Sequence, residues 1–318
     1  MRSIYLRKIF AIVFLFFFSC SISSDDQLIN DGIFIYVLGV AQDGGYPQAG
    51  CLKQCCMKVK KEPYLERMVT SIAIVDNVEN KCWIIDMSPD FPKQLHMIND
   101  ITNSKSAVNI AGIFLTHAHI GHYSGLIHLG HEVMGAKNIP VYAMPRMKNF
   151  LEKNGPWNQL VTKSNIQINS IYDDNVININ DQVSVKPFLV PHRDEFTETV
   201  GFKIKGPSNS ILFIPDIDKW NIWNKDIISE VNSNDYLLLD GTFFDGYELP
   251  GRDMSEIPHP FVSESINLFK GLPTKEKNKI HFIHFNHSNP LIWSTSNELN
   301  FLIQEGFNIA KQGQVIKL

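Results

Sequence analysis

The chain has 318 residues, of which 44% are hydrophobic and 19% are charged, and its formal net charge is −4. This length allows a substantial buried core, in one large domain or two small ones. The small negative charge provides no general attraction for nucleic acid or for an anionic surface, so neither is expected as a partner. The informative feature is the presence of eleven histidines, several of which fall in short clusters.

The first twenty residues, "MRSIYLRKIFAIVFLFFFSC", differ from the rest of the chain. A basic start, a short apolar run over residues 9–18 and a small residue are typical of a secretory signal. The ending resembles a bacterial lipoprotein cleavage site, so we expect residues 1–20 to be a signal peptide and Cys20 to become the lipidated first residue. An uncleaved membrane anchor is the alternative.

Either N-terminal segment would place the folded part outside the cytoplasm. Residues 21–31, which include "SISSDDQLIND", then read as a polar tether. We expect an exported protein of the bacterial cell envelope, in the periplasm or on the outer surface, that contacts the membrane only through its lipid anchor.

After the tether, short apolar runs rich in β-branched residues alternate with turn-rich or helical stretches. Strands are predicted at residues 33–40, 70–76, 82–87, 111–117, 140–144, 183–190, 200–206, 210–216, 236–243 and 279–285. Helices are predicted at residues 89–99, 122–135, 145–154, 218–231, 262–270 and 295–304. This order indicates two packed sheets with helices outside.

Polar residues of the types used in catalysis lie where predicted strands end. They are Asp86, His117, His192, Asp216, Asp240 and His284. A rigid sheet edge delivers such side chains into a cleft between loops and holds them still.

The segment "LTHAHIGHYSGL", residues 115–126, contains the spacing His117-x-His119-x-x-His122. Alternate residues of an extended chain point the same way, so the first two imidazoles share a direction, and the third begins the next helix. Imidazoles suit zinc or iron. A histidine-rich surface turn is the alternative, but it does not explain why an apolar strand runs straight into three histidines.

This segment resembles the HxHxDH signature of the metallo-β-lactamase superfamily. The superfamily's other motifs follow the expected order, at Asp86, His192, Asp216 and His284. "LGVAQDGGYPQAGC", "LLLDGTF" and "HFNHSNP" resemble the pyrroloquinoline quinone synthesis protein B branch. The resemblance implies one α/β (α+β) domain over residues 32–318, a four-layer αββα sandwich of two mixed β-sheets with helices outside.

The resemblance also implies a ligand set for two metal ions. The first ion would bind His117, His119 and His192. The second would bind His122 and His284, with Asp216 bridging the two.

Gly121 occupies the superfamily's aspartate position, so the second site lacks one carboxylate. The consequence is a single metal, a weaker second metal, or a replacement ligand from elsewhere. His287 is the candidate replacement, although it also suits an exposed position in the "NHSNP" turn. An aspartate introduced at position 121 is expected to raise second-site occupancy, unless another residue already fills the gap.

The implied mechanism starts from the metal, which lowers the pKa of its water toward 7 and so supplies hydroxide at neutral pH. Asp216 would orient that hydroxide, His259 would act as general acid, and Asp240 would orient His259. His259 also suits an ordinary loop histidine, and Asp240 suits a turn before Gly241. Asp86 would brace the metal-binding loop without contacting the metal.

A second cluster, "GCLKQCC", contains Cys51, Cys55 and Cys56 within six residues. Three thiolates around a structural zinc, with a fourth ligand unidentified, are favoured over a disulfide of Cys51 with one of the others. Cys82 lies in an apolar strand and is expected to be simply buried. The glycine-rich residues 41–50 lack a nucleotide-binding pattern and are expected to lie beside the active site.

The leading hypothesis is an exported metal-dependent hydrolase that cleaves a phosphodiester or ester-like bond of a small-molecule substrate. It would use one or two zinc ions, with iron or manganese as alternatives, and an additional structural zinc at the thiols. An oxidative enzyme with one iron on His117, His192 and Asp216 is the alternative. Third is a non-catalytic metal-binding protein. The sequence predicts no oligomeric state.

Overall fold

A computed structural model of the chain describes residues 32–102, 106–293 and 295–318. The predicted signal peptide (residues 1–20), the tether (residues 21–31) and the lipidation site at Cys20 lie outside these residues. Among the helices of the described ranges, none is both long and apolar enough to span a bilayer.

The first sheet is built from seven strands. Those that the sequence predicts begin and end close to their predicted positions. The seven strands are β1 (Ile33–Gly39), β2 (Ser71–Asp76), β3 (Lys81–Ile85), β4 (Asn109–Phe114), β5 (Ile139–Ala143), β6 (Ile166–Ser170) and β14 (Val315–Lys317). Their order is β14-β1-β2-β3-β4-β5-β6. Neighbours from β14 to β3 pair antiparallel, and those from β3 to β6 pair parallel.

The second sheet repeats this arrangement. Its strands are β7 (Ile177–Asn178), β8 (Ser184–Leu189), β9 (Val200–Lys205), β10 (Ser210–Ile214), β11 (Tyr236–Asp240), β12 (Ile280–Ile283) and β13 (Asn308–Ile309). The order is β13-β12-β11-β10-β9-β8-β7. Pairs from β7 to β10 are antiparallel, and pairs from β10 to β13 are parallel.

The helices connect or flank these strands. They are α1 (Gln54–Lys61), α2 (Phe91–Thr102), α3 (Ile120–Tyr123), α4 (Pro145–Lys153), α5 (Trp157–Thr162), α6 (Ile227–Ser233), α7 (Val262–Phe269), α8 (Thr274–Lys277) and α9 (Asn297–Gln304). Short 3-10 turns occur at Pro63–Leu65, Ser124–Leu129, Trp220–Ile222, Met254–Glu256 and Pro290–Ile292.

The alternation of side chains along β1 shows how the layers form. Ile35 and Val37 point into a core shared with the second sheet, where Phe213 is also buried. Phe34 and Leu38 point the other way, into a separate core that includes residues of α2. Because both faces of the strand are covered, it has a continuous apolar sequence instead of an alternating one.

Two predicted helices are shorter than expected. Residues 122–135 hold only the end of α3 and one 3-10 turn. In that turn Gly125 packs so closely that a Cβ there would lie 2.0 Å from the carbonyl oxygen of Ser88. Residues 218–231 begin as a turn, and α6 starts only after Asp226, whose carboxylate accepts hydrogen bonds from the backbone of Ile228 and Ser229. The prediction missed α1, α5, α8 and the short strands β6, β7, β13 and β14.

The two sheets meet where the parallel strands end. Phe285, just after β12, pairs with the segment after β1 through a parallel bridge to Ala41. The backbone N–H of Phe285 donates to Val40, and that of Gln42 donates to Phe285, both at 2.8 Å. The carboxyl ends of β1 and β12 are therefore joined at one edge, which is where the candidate site lies.

Candidate metal centre

Asp216, two residues after β10, lies at the centre of the predicted site. Its carboxylate is 3.4 Å from Nε2 of His117 and 3.2 Å from Nε2 of His192. It is 3.8 Å from Nδ1 of His119 and 4.0 Å from Nε2 of His122. These contacts place one buried carboxylate between nitrogen atoms from two strand ends.

The potential ligands form two adjoining groups. The first is His117, His119, His192 and Asp216, and the second is Asp43, His122 and His284. Within each group the ligand atoms lie within 4.8 Å of one another. The structure thus brings together every histidine predicted for the two metals, His287 excepted, and adds Asp43.

Several inward-facing atoms form no hydrogen bond with the described residues. They are His117 Nε2, His122 Nε2, His284 Nε2 and Asp216 Oδ1, all of them buried. Buried polar atoms are nearly always paired, so four unpaired atoms that converge on one place need a partner. Imidazole nitrogens around a carboxylate suit zinc, and these residues therefore fit the metal that the sequence predicts.

The Nδ1 atoms of His117 and His122, which point away from the centre, contact neighbouring polar side chains. His122 Nδ1 lies 2.7 Å from Asp86 Oδ2, and Asp86 also accepts the backbone N–H of Thr116 at 2.8 Å. The Thr116 hydroxyl is 3.0 Å from His117 Nδ1. Such contacts fix the ring orientation of a metal ligand. Asp86 thus occupies the bracing position predicted for it.

Two residues that the prediction missed hold other rings in the same way. Asp218 Oδ1 lies 3.0 Å from His192 Nδ1, and the Thr242 hydroxyl lies 2.9 Å from His284 Nδ1. Asp218 follows Asp216 by two residues, and this spacing could have predicted that Asp218 also lies at the site. Thr242 gives no comparable signal in the sequence.

Carboxylates favour positive charge at two histidines of the centre, whereas burial lowers the pKa of His117 and of His284. Burial alone would lower the pKa of His122, but Asp86, Asp43 and Asp216 outweigh it and raise the pKa to about 9. Burial likewise opposes protonation of His192, yet Asp216 and Asp218 raise its pKa to about 10. The same carboxylates that attract a proton would attract a metal cation.

Strained backbone marks both sheets at this edge. Asp86 has φ 68° and His284 has φ 69°, a left-handed conformation that is uncommon outside glycine. Such strain persists where the surroundings over-determine it, as they do at functional sites.

A family model described as a β-lactamase superfamily domain matches residues 83–282. The chain belongs to this superfamily. The matched residues include the centre from Asp86 to Asp216.

Curated relatives agree with the narrower resemblance. Coenzyme PQQ synthesis protein B of Klebsiella pneumoniae is 24% identical over 313 residues, which covers 90% of this chain and 98% of that protein. The protein of the same name from Acinetobacter baylyi is 25% identical over 320 residues and is covered completely, against 90% of this chain.

Solved structures establish the fold. Zn(2+)-bound PqqB from Methylobacterium extorquens has a TM-score of 0.76 and 21% identity, over 90% of this chain and 100% of that one. A diphosphatase from the PhnP family has a TM-score of 0.62 and 20% identity, over 90% and 98%. The predicted superfamily, its PqqB-like branch and the sandwich of two mixed sheets are confirmed.

His259 and Asp240 adjoin the two groups of potential metal ligands. His259 Nδ1 lies 2.9 Å from Asp240 Oδ2 and 3.2 Å from Asp216 Oδ1, and all three side chains are buried. Asp240 also accepts the backbone N–H and the hydroxyl of Thr242, at 2.8 and 2.7 Å. The predicted pair is therefore brought together, and Asp240 links His259 to the loop that orients His284.

The prediction that His287 replaces the missing second-site ligand is wrong. Its Nδ1 lies 3.3 Å from Cys56 Sγ and 3.6 Å from Cys55 Sγ, and it groups with the thiols, including Cys51. His284 and His287 are three residues apart on a turn, which sends the two rings to different sites.

The cysteine cluster has the composition of a structural zinc site. Cys51, Cys55 and Cys56 are free thiols, and the Cys51 and Cys55 sulfur atoms lie 4.0 Å apart. With His287, the cluster supplies the three sulfurs and one nitrogen of a common tetrahedral zinc site. His287 is thus the candidate for the fourth ligand, which the sequence alone did not identify. Burial raises the pKa of Cys82, which lies elsewhere, to about 12.

Proposed function

We propose that this chain is a metal-dependent hydrolase whose two-metal centre cleaves a phosphodiester or ester-like bond of a small molecule. The observation that carries the proposal is the pair of adjoining ligand groups that converge on Asp216 with unpaired, buried atoms. The similarity in fold to a diphosphatase of the PhnP family supports phosphoryl-group chemistry.

Zinc is the metal that we propose, held by His117, His119 and His192 at the first site and by His122 and His284 at the second. When bound, such ions supply Lewis acidity and lower the pKa of water toward neutrality. The zinc-bound state of the Methylobacterium extorquens relative supports this choice. We propose a further, structural zinc at the thiols.

The chain's own residues supply orientation and a proton. Asp216 faces both ligand groups and so is placed to hold the attacking water in line. His259 has its Nδ1 directed at Asp240, which leaves Nε2 to deliver a proton to the leaving group. Both residues are buried, so bulk water does not compete with these contacts.

We also propose that the protein works outside the cytoplasm, anchored through Cys20. The support is the signal-like composition of residues 1–20. The measurement is incorporation of labelled fatty acid into the chain with and without Cys20→Ser, and a wild-type chain that takes up no label would refute the anchor.

Metal analysis combined with a phosphodiesterase assay tests the proposed hydrolase. The purified chain should hold zinc and cleave bis(p-nitrophenyl) phosphate. His117→Ala should lose the first-site ion and the activity, because it removes a buried ligand nitrogen. The control is His131→Ala, which changes an exposed histidine and should alter neither.

The likeness to coenzyme PQQ synthesis proteins favours one alternative function, an oxidative enzyme with a single iron. A chain that binds a single iron at the histidine centre, consumes oxygen and hydrolyses no ester would point to the oxidative enzyme. A metal-loaded chain without either activity would point to a metal-binding protein.

A further inference from the structure

We propose that Asp43, on the loop after β1, supplies the carboxylate of the second metal site in place of the aspartate that the superfamily carries at position 121. The inference rests on the two-metal centre of the proposed function, and it does not depend on which bond is cleaved. It answers why the histidine motif tolerates a glycine at its ligand position.

The two positions compete for the same space. A Cβ built on Gly121 would lie 2.2 Å from Asp43 Oδ1 and 2.8 Å from Asp43 Cα. The Asp43 carboxylate therefore already fills the volume in which an aspartate at position 121 would begin. Only one of the two residues can carry a side chain there.

The Asp43 carboxylate faces the second group of ligands. Oδ1 accepts the backbone N–H of Gly121 at 3.1 Å and lies 3.6 Å from His122 Nε2. The ligand atoms of Asp43, His122 and His284 lie within 4.8 Å of one another. Nε2 of His122 and Nε2 of His284 are buried and form no hydrogen bond with the described residues, so both nitrogens are open to a ligand at the same place.

The loop that carries Asp43 is tied to the segment that carries His284. Gln42 donates its backbone N–H to Phe285, and the Asn286 amide donates to the Gln42 side chain at 2.6 Å. A turn closed by the Gly45 N–H and the Gln42 carbonyl then follows at 2.7 Å. Asp43 lies between these contacts, so its backbone is positioned before any ion binds.

The other acidic or imidazole candidates are already engaged. Asp86 contacts the outer nitrogen of His122, and Asp240 contacts His259. His287 belongs to the thiol cluster. Apart from Asp216, which faces both ligand groups, Asp43 is therefore the carboxylate available to the second site among the described residues grouped around it.

The test is zinc stoichiometry and affinity, measured by elemental analysis after dialysis against buffered free zinc. Asp43→Asn keeps the shape and removes the charge, and it should lower second-site affinity by about tenfold or more while first-site and thiol-site zinc remain. Asp194→Asn is the matched control, because this exposed aspartate pairs with Arg146 and faces neither ligand group.

Substitution at position 121 provides the second arm. Gly121→Asp alone should lower second-site occupancy, since the new side chain collides with Asp43. Asp43→Gly combined with Gly121→Asp should recover part of the occupancy lost in Asp43→Gly alone. Recovery should be incomplete, because Cα of residue 43 remains 2.8 Å from the new Cβ.

Three results would overturn the proposal. They are unchanged second-site affinity in Asp43→Asn, a gain of occupancy in Gly121→Asp alone, and a wild-type chain that binds no second ion at the histidine centre. Each is a metal-binding result, so it is distinct from a failure of the phosphodiesterase assay.

Discussion

At the scale of single residues, the nitrogen that each histidine turns inward defines the centre. His117 and His192 present Nε2 to Asp216, while His119 presents Nδ1. The sequence predicts which histidines take part, because the motif spacing places them after a strand. It does not predict the ring nitrogen, which depends on partners such as Thr116 and Asp218.

His259 is predicted to donate a proton to the leaving group. His259→Gln should reduce hydrolysis of a phosphodiester with an alkyl leaving group by about 10²-fold or more, because an alkoxide needs a proton as it leaves. Hydrolysis of a p-nitrophenyl ester should fall much less, since p-nitrophenolate is stable without protonation. The measurement is kcat for both substrates, with zinc content as control.

An equal loss on both substrates would contradict the role of His259 as a proton donor. It would indicate instead that the residue positions Asp216, which its Nδ1 approaches to 3.2 Å.

At the scale of elements, the loop after β1 and the segment after β12 act together. The first carries Asp43 and the three thiols, and the second carries His284 and His287. The glycine-rich sequence predicts that residues 41–50 lie beside the site, and the structure places Asp43 of this segment next to His122 and His284. The helix α1 within the thiol segment was not predicted, because it has eight residues and buries only Cys56 and Val59.

The thiol cluster is predicted to hold a zinc ion that stabilises the fold. Cys56→Ser should remove one zinc per chain and lower the thermal midpoint, because a zinc on thiols and His287 would join the two segments. Cys82→Ala is the matched control, since Cys82 is an equally buried cysteine outside the cluster. It should keep the full zinc content.

The test uses elemental analysis and thermal unfolding of both variants. If Cys56→Ser kept its zinc content, the cluster would not be a metal site.

At the scale of the whole molecule, two sheets with the same succession of antiparallel and parallel pairs stack so that their carboxyl ends share one edge. Titratable groups are also buried away from the centre. His281 on β12 is one of them, and burial lowers its pKa below the ordinary value of 6.5.

The His281 shift predicts a pH dependence of folding stability. Below about pH 6.5 the unfolded chain takes up a proton at this residue that the folded chain resists, so stability falls as the pH falls. His281→Gln should therefore lose less stability than the wild type when the pH falls from about 7.5 to about 5.5, a range that spans the ordinary histidine pKa. The measurement is the urea midpoint at both pH values.

His131→Gln is the control, because this histidine is exposed. Its pH dependence should match that of the wild type. A His281→Gln variant that also matched the wild type would show that burial of His281 does not couple folding to protons.

The sequence by itself determined the superfamily, the strand ends and the histidines of the centre, because these depend on local patterns: apolar runs that stop at a polar residue, and short motif spacings. Contacts between segments distant in the chain were decided only by the tertiary structure. Asp43 and Gly121 are 78 residues apart, and Cys56 and His287 are 231 apart. Their pairing follows from how the two sheets stack, and this stacking joins the end of β1 to the end of β12. Local sequence predicts that each strand ends in a polar residue, but it contains no information on which strand ends become neighbours.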